Sequence, residues 1–323
     1  MKAIELFLRP TQEELFDMLR KMFRGETIFR KGSYILVRGE APIMLLAHLD
    51  TVHKKPVRDI CRSEDGNILM SPQGIGGDDR CGVYALVNVY EAAKAKPWLL
   101  FTCDEEIGGR GADDFCESYQ KGRLPKQLDE LKLLIEIDRR GSKDAVYYDC
   151  DNRDFEAYIT SKGFKTEYGS FSDISYVAPE LGVAAVNLSS GYYNAHTQHE
   201  FINRKQIDAV IEKVTEIVAE SVQPDFPKYE YVERVYIRTT LGNYYDWDYG
   251  YLRGMAPTSG AVLRGKVPKN LPVKYQQMYD ELLDLYAPEE LEYFREAEGD
   301  EVIEEIYQAE FGLLYEDPDT TQP

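Results

Sequence analysis

The run IMLLAHLDTVH, residues 43–53, starts with five apolar residues and continues into polar ones that include two of the chain's four histidines. An apolar run of this length is typical of a buried β-strand, so the polar residues then follow the strand's end. Four other runs share its length and composition: YILVR (34–38), WLLFT (98–102), LLIEI (133–137) and VAAVNL (183–188). We expect these five runs to form the central sheet.

Amphipathic stretches alternate with the predicted strands. Thr11 and Glu14 have the spacing of a capping box for a helix that runs through Phe23. Residues 82–95 suit a crossover helix, and apolar residues recur at helical spacing after Asn203. The alternation predicts an α/β fold: a three-layer sandwich with a mixed, mainly parallel central sheet and helices on both faces.

Metal-ligating residue types follow these strands. In open sheets of this kind, ligands bind beyond the carboxyl ends of the strands, where the loops converge. The candidates at the strand ends are His48 after IMLLA, Asp104, Glu105 and Glu106 after WLLFT, Asp138 after LLIEI, and His196 in the loop after VAAVNL. Further carboxylates are Asp78 and Asp79 in IGGDDRCG and Glu136 in LLIEIDRRG. Imidazole and carboxylate donors in the order His, Asp, Glu, Asp, His make a ligand set for two divalent metals.

Each candidate alone has a simpler explanation. A lone histidine is more often a satisfied structural group, paired acids are commonly solvated, and an aspartate after a strand often caps a helix. These explanations do not account for the order and position of the whole set. Gly74, Gly76 and Gly77 do not form a dinucleotide-binding loop, because the third glycine of GxGxxG would fall at Asp79.

Composition excludes several classes of partner. The formal net charge of -19 argues against nucleic acid and anionic membranes, since both require a cationic surface. No segment approaches the roughly 18 apolar residues of a membrane span, and the N-terminus lacks a signal-peptide pattern, so we expect a soluble cytoplasmic protein. The five cysteines are scattered and include no CxxC pair, which favours free thiols.

The chain divides into two parts, 1–222 and 223–323. The second part contains 21 acidic residues against nine basic ones, and 13 of the 24 tyrosines. It includes a β-like stretch at 229–240 and acidic helical sequence from about 273 to 315. We expect a largely helical C-terminal extension packed on the first part; an acidic arm that binds a partner is the alternative.

The motifs between residues 40 and 205 resemble, in order and spacing, those of the co-catalytic di-zinc exopeptidase superfamily. That superfamily includes bacterial zinc aminopeptidases, peptidase T-like tripeptidases, glutamate carboxypeptidases and aminoacylases. The resemblance implies two zinc ions, with cobalt or manganese also permitted by the ligand types. The ligands it implies are His48, Asp78 as the bridge between the ions, Glu106, Asp138 and His196.

The resemblance also assigns residues beside the metals. Glu105 is implied as the general base, and Asp50 as the residue that orients the His48 imidazole through its other nitrogen. His53 and His199 are expected outside the ligand set. The run SFSDISYVAPE resembles the segment before the last strand of these enzymes, so its residues Ser172 and Asp173 either line the site or cap a helix.

Only 57 residues separate Asp138 from His196, which leaves no room for an inserted lid or dimerisation domain of about 50 residues. The resemblance therefore favours a compact, single-domain aminopeptidase-like member. It implies a zinc-dependent exopeptidase that cleaves short peptides with a metal-activated water. Two alternatives stay open: an amidohydrolase of N-acyl amino acids, and a non-catalytic scaffold that binds a protein partner.

Overall fold

The computed structural model describes residues 2–26, 28–169, 171–234, 268, 271–282, 291–292, 295 and 299–311. The chain divides into two compact units, Met1–Arg234 and Val235–Pro323. The first unit contains every residue of the predicted metal site.

The first unit contains twelve described strands and seven described α-helices. The strands are β1 (Ile28–Lys31), β2 (Tyr34–Val37), β3 (Ile43–His48), β4 (Cys61–Arg62), β5 (Ile68–Met70), β6 (Trp98–Thr102), β7 (Leu133–Arg139), β8 (Asp144–Val146), β9 (Lys165–Thr166), β10 (Ala185–Ser189), β11 (Tyr192–Tyr193) and β12 (Phe201–Asn203). The helices are α1 (Glu5–Leu8), α2 (Gln12–Met22), α3 (Gly77–Ala92), α4 (Arg110–Gln120), α5 (Arg153–Ser161), α6 (Ile174–Leu181) and α7 (Arg204–Ser221), and a 3-10 helix spans Lys126–Glu130.

Eight strands form the central sheet in the order β1-β2-β6-β3-β7-β10-β8-β9. The neighbours β6, β3, β7 and β10 run parallel, so their carboxyl ends meet at one edge of the sheet. Strand β2 pairs antiparallel with both β1 and β6. Strand β8 pairs antiparallel with β10 and parallel with β9. Strands β11, β12, β5 and β4 form a smaller antiparallel sheet.

Both faces of the central sheet are covered by helices, as expected for a mainly parallel sheet whose central strands β3, β6 and β10 are largely apolar and buried. One face packs against α1, α2, α3, α5 and α7, and the other against α4 and α6. The predicted three-layer sandwich is therefore confirmed. Buried apolar side chains such as Phe101 on one face and Phe115 on the other fill the two cores.

All five predicted strands form, and so do the three predicted helices. The capping box of α2 is present, because the Glu14 N–H donates to Thr11 Oγ1 at 3.3 Å and the Thr11 N–H donates to Glu14 Oε2 at 3.0 Å. Helix α3 begins at Gly77, ahead of the predicted Gly82. A Cβ at Gly82 would lie 2.2 Å from the Ile137 carbonyl oxygen, so glycine allows α3 to pack closely on β7.

Residues 229–234 belong to the first unit, which runs past the predicted boundary at residue 222. The Tyr229 N–H donates to the Lys132 carbonyl, and isolated β-bridges join Glu230 to Val183 and Glu233 to Cys150. These bridges lie within the stretch 229–240, for which the sequence predicts β-structure. Residues 235–240 of that stretch lie outside the described residues.

The second unit includes two described helices, α8 (Val273–Leu282) and α9 (Val302–Phe311). Their apolar side chains form a separate cluster that includes Tyr279, Leu282 and Ile303. The predicted packing of this extension on the first unit stays a prediction. Among the described residues, no helix is both long and apolar enough to cross a membrane.

Candidate metal centre

The parallel strands bring the predicted ligands to one edge of the sheet. His48 is the last residue of β3, and Asp138 lies at the end of β7 beside it. Glu105 and Glu106 follow β6, on the other side of β3. Asp78 lies in the first turn of α3, and the loop after β11 carries His196.

The Asp78 carboxylate faces two histidines with different oxygens. Its Oδ1 lies 3.1 Å from His48 Nε2, and its Oδ2 lies 3.3 Å from His196 Nε2. Asp138 Oδ1 lies 3.7 Å from His48 Nε2, and Glu106 Oε2 lies 3.1 Å from His196 Nε2. One carboxylate is therefore shared between two groups of donors, which is the arrangement of a bridging ligand.

Three groups of residues could each hold a metal ion, because the donor atoms within a group lie within 4.8 Å of one another. The groups are His48 with Asp78 and Asp138; Asp78 with Glu106 and His196; and His48 with Glu105 and Glu106. The chemistry of this set fits zinc, which takes imidazole and carboxylate ligands. Glu106 Oε1 is buried and has no hydrogen-bond partner among the described residues, so it is free to bind a cation.

Asp50 connects the two sides of this site. Its Oδ1 lies 3.2 Å from His48 Nδ1, and its two oxygens accept the backbone N–H groups of Glu105 and Glu106, each at 3.1 Å. Burial opposes the ionised form, but the contact with His48 and the two N–H donors outweigh it and lower the pKa of Asp50. Asp50 thereby fixes the imidazole and the backbone of both glutamates.

The buried carboxylates and histidines perturb one another. Burial raises the pKa of Glu105 to about 8, against the attraction of His48, and raises the pKa of Asp138 well above its usual value. Hydrogen bonds to Asp78 and then Glu106 raise the pKa of His196 to about 10. Burial alone would lower the pKa of His48, but the surrounding carboxylates raise it well above its usual value. Carboxyl groups thus crowd this end of the sheet, and a bound cation would favour their ionised forms.

Glu200 is the residue of this region that sequence reasoning missed. Its fully buried carboxylate accepts the N–H of Gly76 at 2.9 Å and the N–H of Asp78 at 3.0 Å, and its Oε2 lies 2.7 Å from His53 Nε2. It therefore holds the backbone that carries the shared aspartate. The available signal in the sequence was that Glu200 directly precedes strand β12. A carboxylate that is buried beside a strand needs hydrogen-bond or ion-pair partners.

The remaining predicted residues lie around the centre. His53 belongs to none of the three donor groups, and His199 is exposed, with its N–H donated to Thr197. Ser172 Oγ donates to Glu136 at 2.5 Å, and Asp173 accepts a hydrogen bond from the Thr102 hydroxyl. Asp173 makes no side-chain cap to α6, and burial raises its pKa to about 6.

Histidine and carboxylate donors at the strand ends of a mainly parallel α/β sandwich form a candidate site for divalent metal ions. The model of peptidase family M28 matches residues 35–218, more than half of the chain. The chain belongs to this family, so its class is metallopeptidase, and the predicted membership of the co-catalytic zinc exopeptidase superfamily is confirmed.

Solved structures have the same fold. A tripeptidase from Staphylococcus aureus superposes with a TM-score of 0.53 at 15% identity, over 68% of this chain and 96% of that one. The aminopeptidase PepT from Bacillus cereus superposes with a TM-score of 0.52 at 14% identity, over 68% of this chain and 97% of that one. A search of curated proteins finds no match.

Proposed function

We propose that this protein is a zinc-dependent exopeptidase of the aminopeptidase type, which cleaves short peptides with two zinc ions and Glu105 as general base. The main support is the Asp78 carboxylate, whose two oxygens face His48 and His196 separately. Glu105 lies beside this pair, with its Oε2 3.9 Å from His48 Nε2. Membership of peptidase family M28 supports the same reaction class.

Two sets of residues would hold the ions. His48, Asp78 and Asp138 form one set, and Asp78, Glu106 and His196 form the other. When bound, the two zinc ions favour ionised carboxylates, polarise the substrate carbonyl and lower the pKa of water. Asp50 orients His48 and fixes the backbone at Glu105 and Glu106 through the contacts described above.

Glu105 moves the proton. As the oxygen of a water molecule bonds to the scissile carbonyl carbon, the Glu105 carboxylate accepts a proton from that water. When the carbon–nitrogen bond breaks, Glu105 donates the proton to the leaving amine, which returns the residue to its ionised form. Asp50 Oδ1 accepts the backbone N–H of Glu105 at 3.1 Å, which fixes the position of the Glu105 backbone.

A test of this proposal measures zinc content and hydrolysis on the full chain. The substrates are an aminoacyl-amide panel, short peptides with a free α-amine, and the same compounds acetylated at that amine. We expect about two zinc ions per chain and cleavage only where the α-amine is free. Cleavage of the acetylated compounds instead would identify a deacylase. A chain that binds no zinc and cleaves neither set would overturn the proposal in favour of a scaffold.

A further inference from the structure

A cavity of about 600 Å³ is lined by two segments that neighbour predicted metal ligands in the chain. Residues 140–144 form one wall and residues 193–195 form the other. The first wall begins two residues after Asp138, and the second ends directly before His196. Both walls therefore continue from residues of the donor groups, and Tyr192, which precedes the second wall, lies with its hydroxyl 3.3 Å from Asp138 Oδ1.

The first wall is held firmly in place. Ser189 Oγ donates to the Arg140 carbonyl at 2.7 Å and accepts the Asp144 N–H at 2.8 Å. The Gly141 N–H donates to the Tyr192 carbonyl at 2.9 Å. The backbone of this wall is thus fixed to strands β10 and β11 before any ligand binds, which reduces the entropic cost of binding.

The charge of the cavity differs from that of the protein. Arg140 and Lys143 supply two cations and Asp144 one anion, so the lining is net positive in a chain whose net charge is -19. Arg140 and Lys143 are both exposed, and neither side chain makes a hydrogen bond or ion pair with any described residue. Arg140 attracts the Asp144 carboxylate only at longer range. Both cationic groups are therefore available to an anionic ligand.

We propose that this cavity is a subsite for a substrate carboxylate, held by the Arg140 guanidinium and the Lys143 ammonium. The proposal rests on the exopeptidase function proposed above and names its substrate class. A guanidinium binds a carboxylate with two parallel hydrogen bonds, and an ammonium adds charge from a second direction. Consecutive Cα atoms lie about 3.8 Å apart, so a peptide of two or three residues spans from the centre into the cavity.

The carboxylate has two possible sources: the C-terminus of a short peptide, or the side chain of aspartate or glutamate. The first arm of the test compares kcat/KM for trialanine and trialaninamide. The second arm compares C-terminally amidated tripeptides that contain glutamate or glutamine at the first or second position. We expect the carboxylate to be preferred roughly 10- to 100-fold in one arm, which identifies its source.

The Arg140→Ala/Lys143→Ala variant should reduce that preference to within about 3-fold, and Arg140→Glu should favour the uncharged partner. Arg123→Ala/Lys126→Ala is the matched control, because it removes the same charge from two exposed residues outside the cavity. The control should keep the full preference. A wild type that does not distinguish acid from amide in either arm, or a cavity variant that keeps the preference, would overturn the proposal.

Binding measurements distinguish a failure of the proposed subsite from a failure of the proposed exopeptidase function. Calorimetry on the zinc-loaded Glu105→Gln variant measures the dissociation constants of the same peptide pairs without turnover. If no peptide is cleaved by the wild type, the exopeptidase function fails; the subsite is still supported when the carboxylate binds more tightly and the cavity variant abolishes the difference. Equal binding of acid and amide overturns the subsite whether or not the enzyme is active.

Discussion

Two histidines of one segment, His48 and His53, lie in different electrostatic surroundings. His53 contacts one carboxylate, Glu200, whose oxygens also accept two backbone N–H groups. His48 faces Asp50, Asp78 and Asp138. The first cluster is complete within the protein, because each Glu200 oxygen has a donor, whereas the second contains more carboxylates than it has protein cations.

This difference explains why a histidine beside a carboxylate is not by itself a metal site. At Glu200 the protein satisfies the buried charge with its own donors, and the result is a structural support for the loop that carries Asp78. At the end of the sheet, Glu106 Oε1 has no such donor among the described residues and several carboxylates converge on two imidazoles. Buried like charges of this kind call for bound cations.

The largest effect should come from the group assigned to proton transfer. Replacing Glu105 by Gln removes the base, so we expect kcat to fall roughly 10²- to 10⁴-fold while zinc content stays at the wild-type level. Steady-state kinetics and elemental analysis on the same samples measure both. Glu216→Gln, an exposed change on α7, is the control and should leave kcat unchanged. Wild-type turnover in Glu105→Gln would remove Glu105 from the mechanism.

Substitutions in the Glu200 cluster should lower the free energy of unfolding. Replacing Glu200 by Ala leaves the N–H groups of Gly76 and Asp78 without their acceptor, so the free energy of unfolding should fall by about 2–5 kcal/mol. Glu200→Gln keeps one acceptor oxygen and should lose less. Urea denaturation measures the change, and Glu216→Ala should stay within about 0.5 kcal/mol of wild type. A loss in Glu200→Ala as small as the control's would contradict the supporting role.

Zinc affinity should distinguish the cluster around His48, to which Asp50 belongs, from the cluster around Glu200, to which His53 belongs. Asp50→Asn weakens the support of His48 and of the Glu105 and Glu106 backbone, so zinc affinity should fall roughly 10- to 100-fold. His53→Gln keeps an N–H donor near Glu200 and should change zinc affinity by less than about 3-fold. Competitive titration with a chelating dye measures both. Equal losses in the two variants would show that the clusters act as one site.

The smallest effect is expected at the N-terminal cap of helix α2. Thr11→Ala removes the side-chain acceptor of the α2 capping box and should lower the free energy of unfolding by about 1 kcal/mol. Turnover of the folded enzyme should not change, because no metal-site donor belongs to α2. Thermal denaturation and steady-state kinetics test the pair of expectations, and a change in KM would connect α2 to substrate binding.

Much of the fold follows from local sequence. Apolar runs such as residues 43–47 and 98–102 are strands because they are long enough, apolar and bounded by turn residues, and each forms as predicted. The carboxyl-end position of His48 and Asp138 follows from strand direction in a parallel sheet. These features depend on neighbours in the chain, which the sequence displays directly.

Other features depend on contacts between distant residues. Glu200 lies 122 residues from Asp78 in the chain, and only the folded molecule brings its carboxylate to that N–H. The lining of the proposed carboxylate subsite likewise combines residues 140–144 with 193–195, which follow strands β7 and β11 or lie in them. No periodicity or short motif encodes such a pairing.

The sequence by itself determined the α/β sandwich and the types of polar residue that follow its strands. These features follow from hydrophobic patterning and strand direction. The tertiary structure alone decided that Asp78 faces two histidines and that Glu200 supports it. It also decided that the side chains of Arg140 and Lys143 have no hydrogen-bond or ion-pair partner in the described part of the chain. The physical reason is that hydrogen bonding and charge balance are set by side chains within a few ångströms of one another, at distances fixed only once the chain has folded.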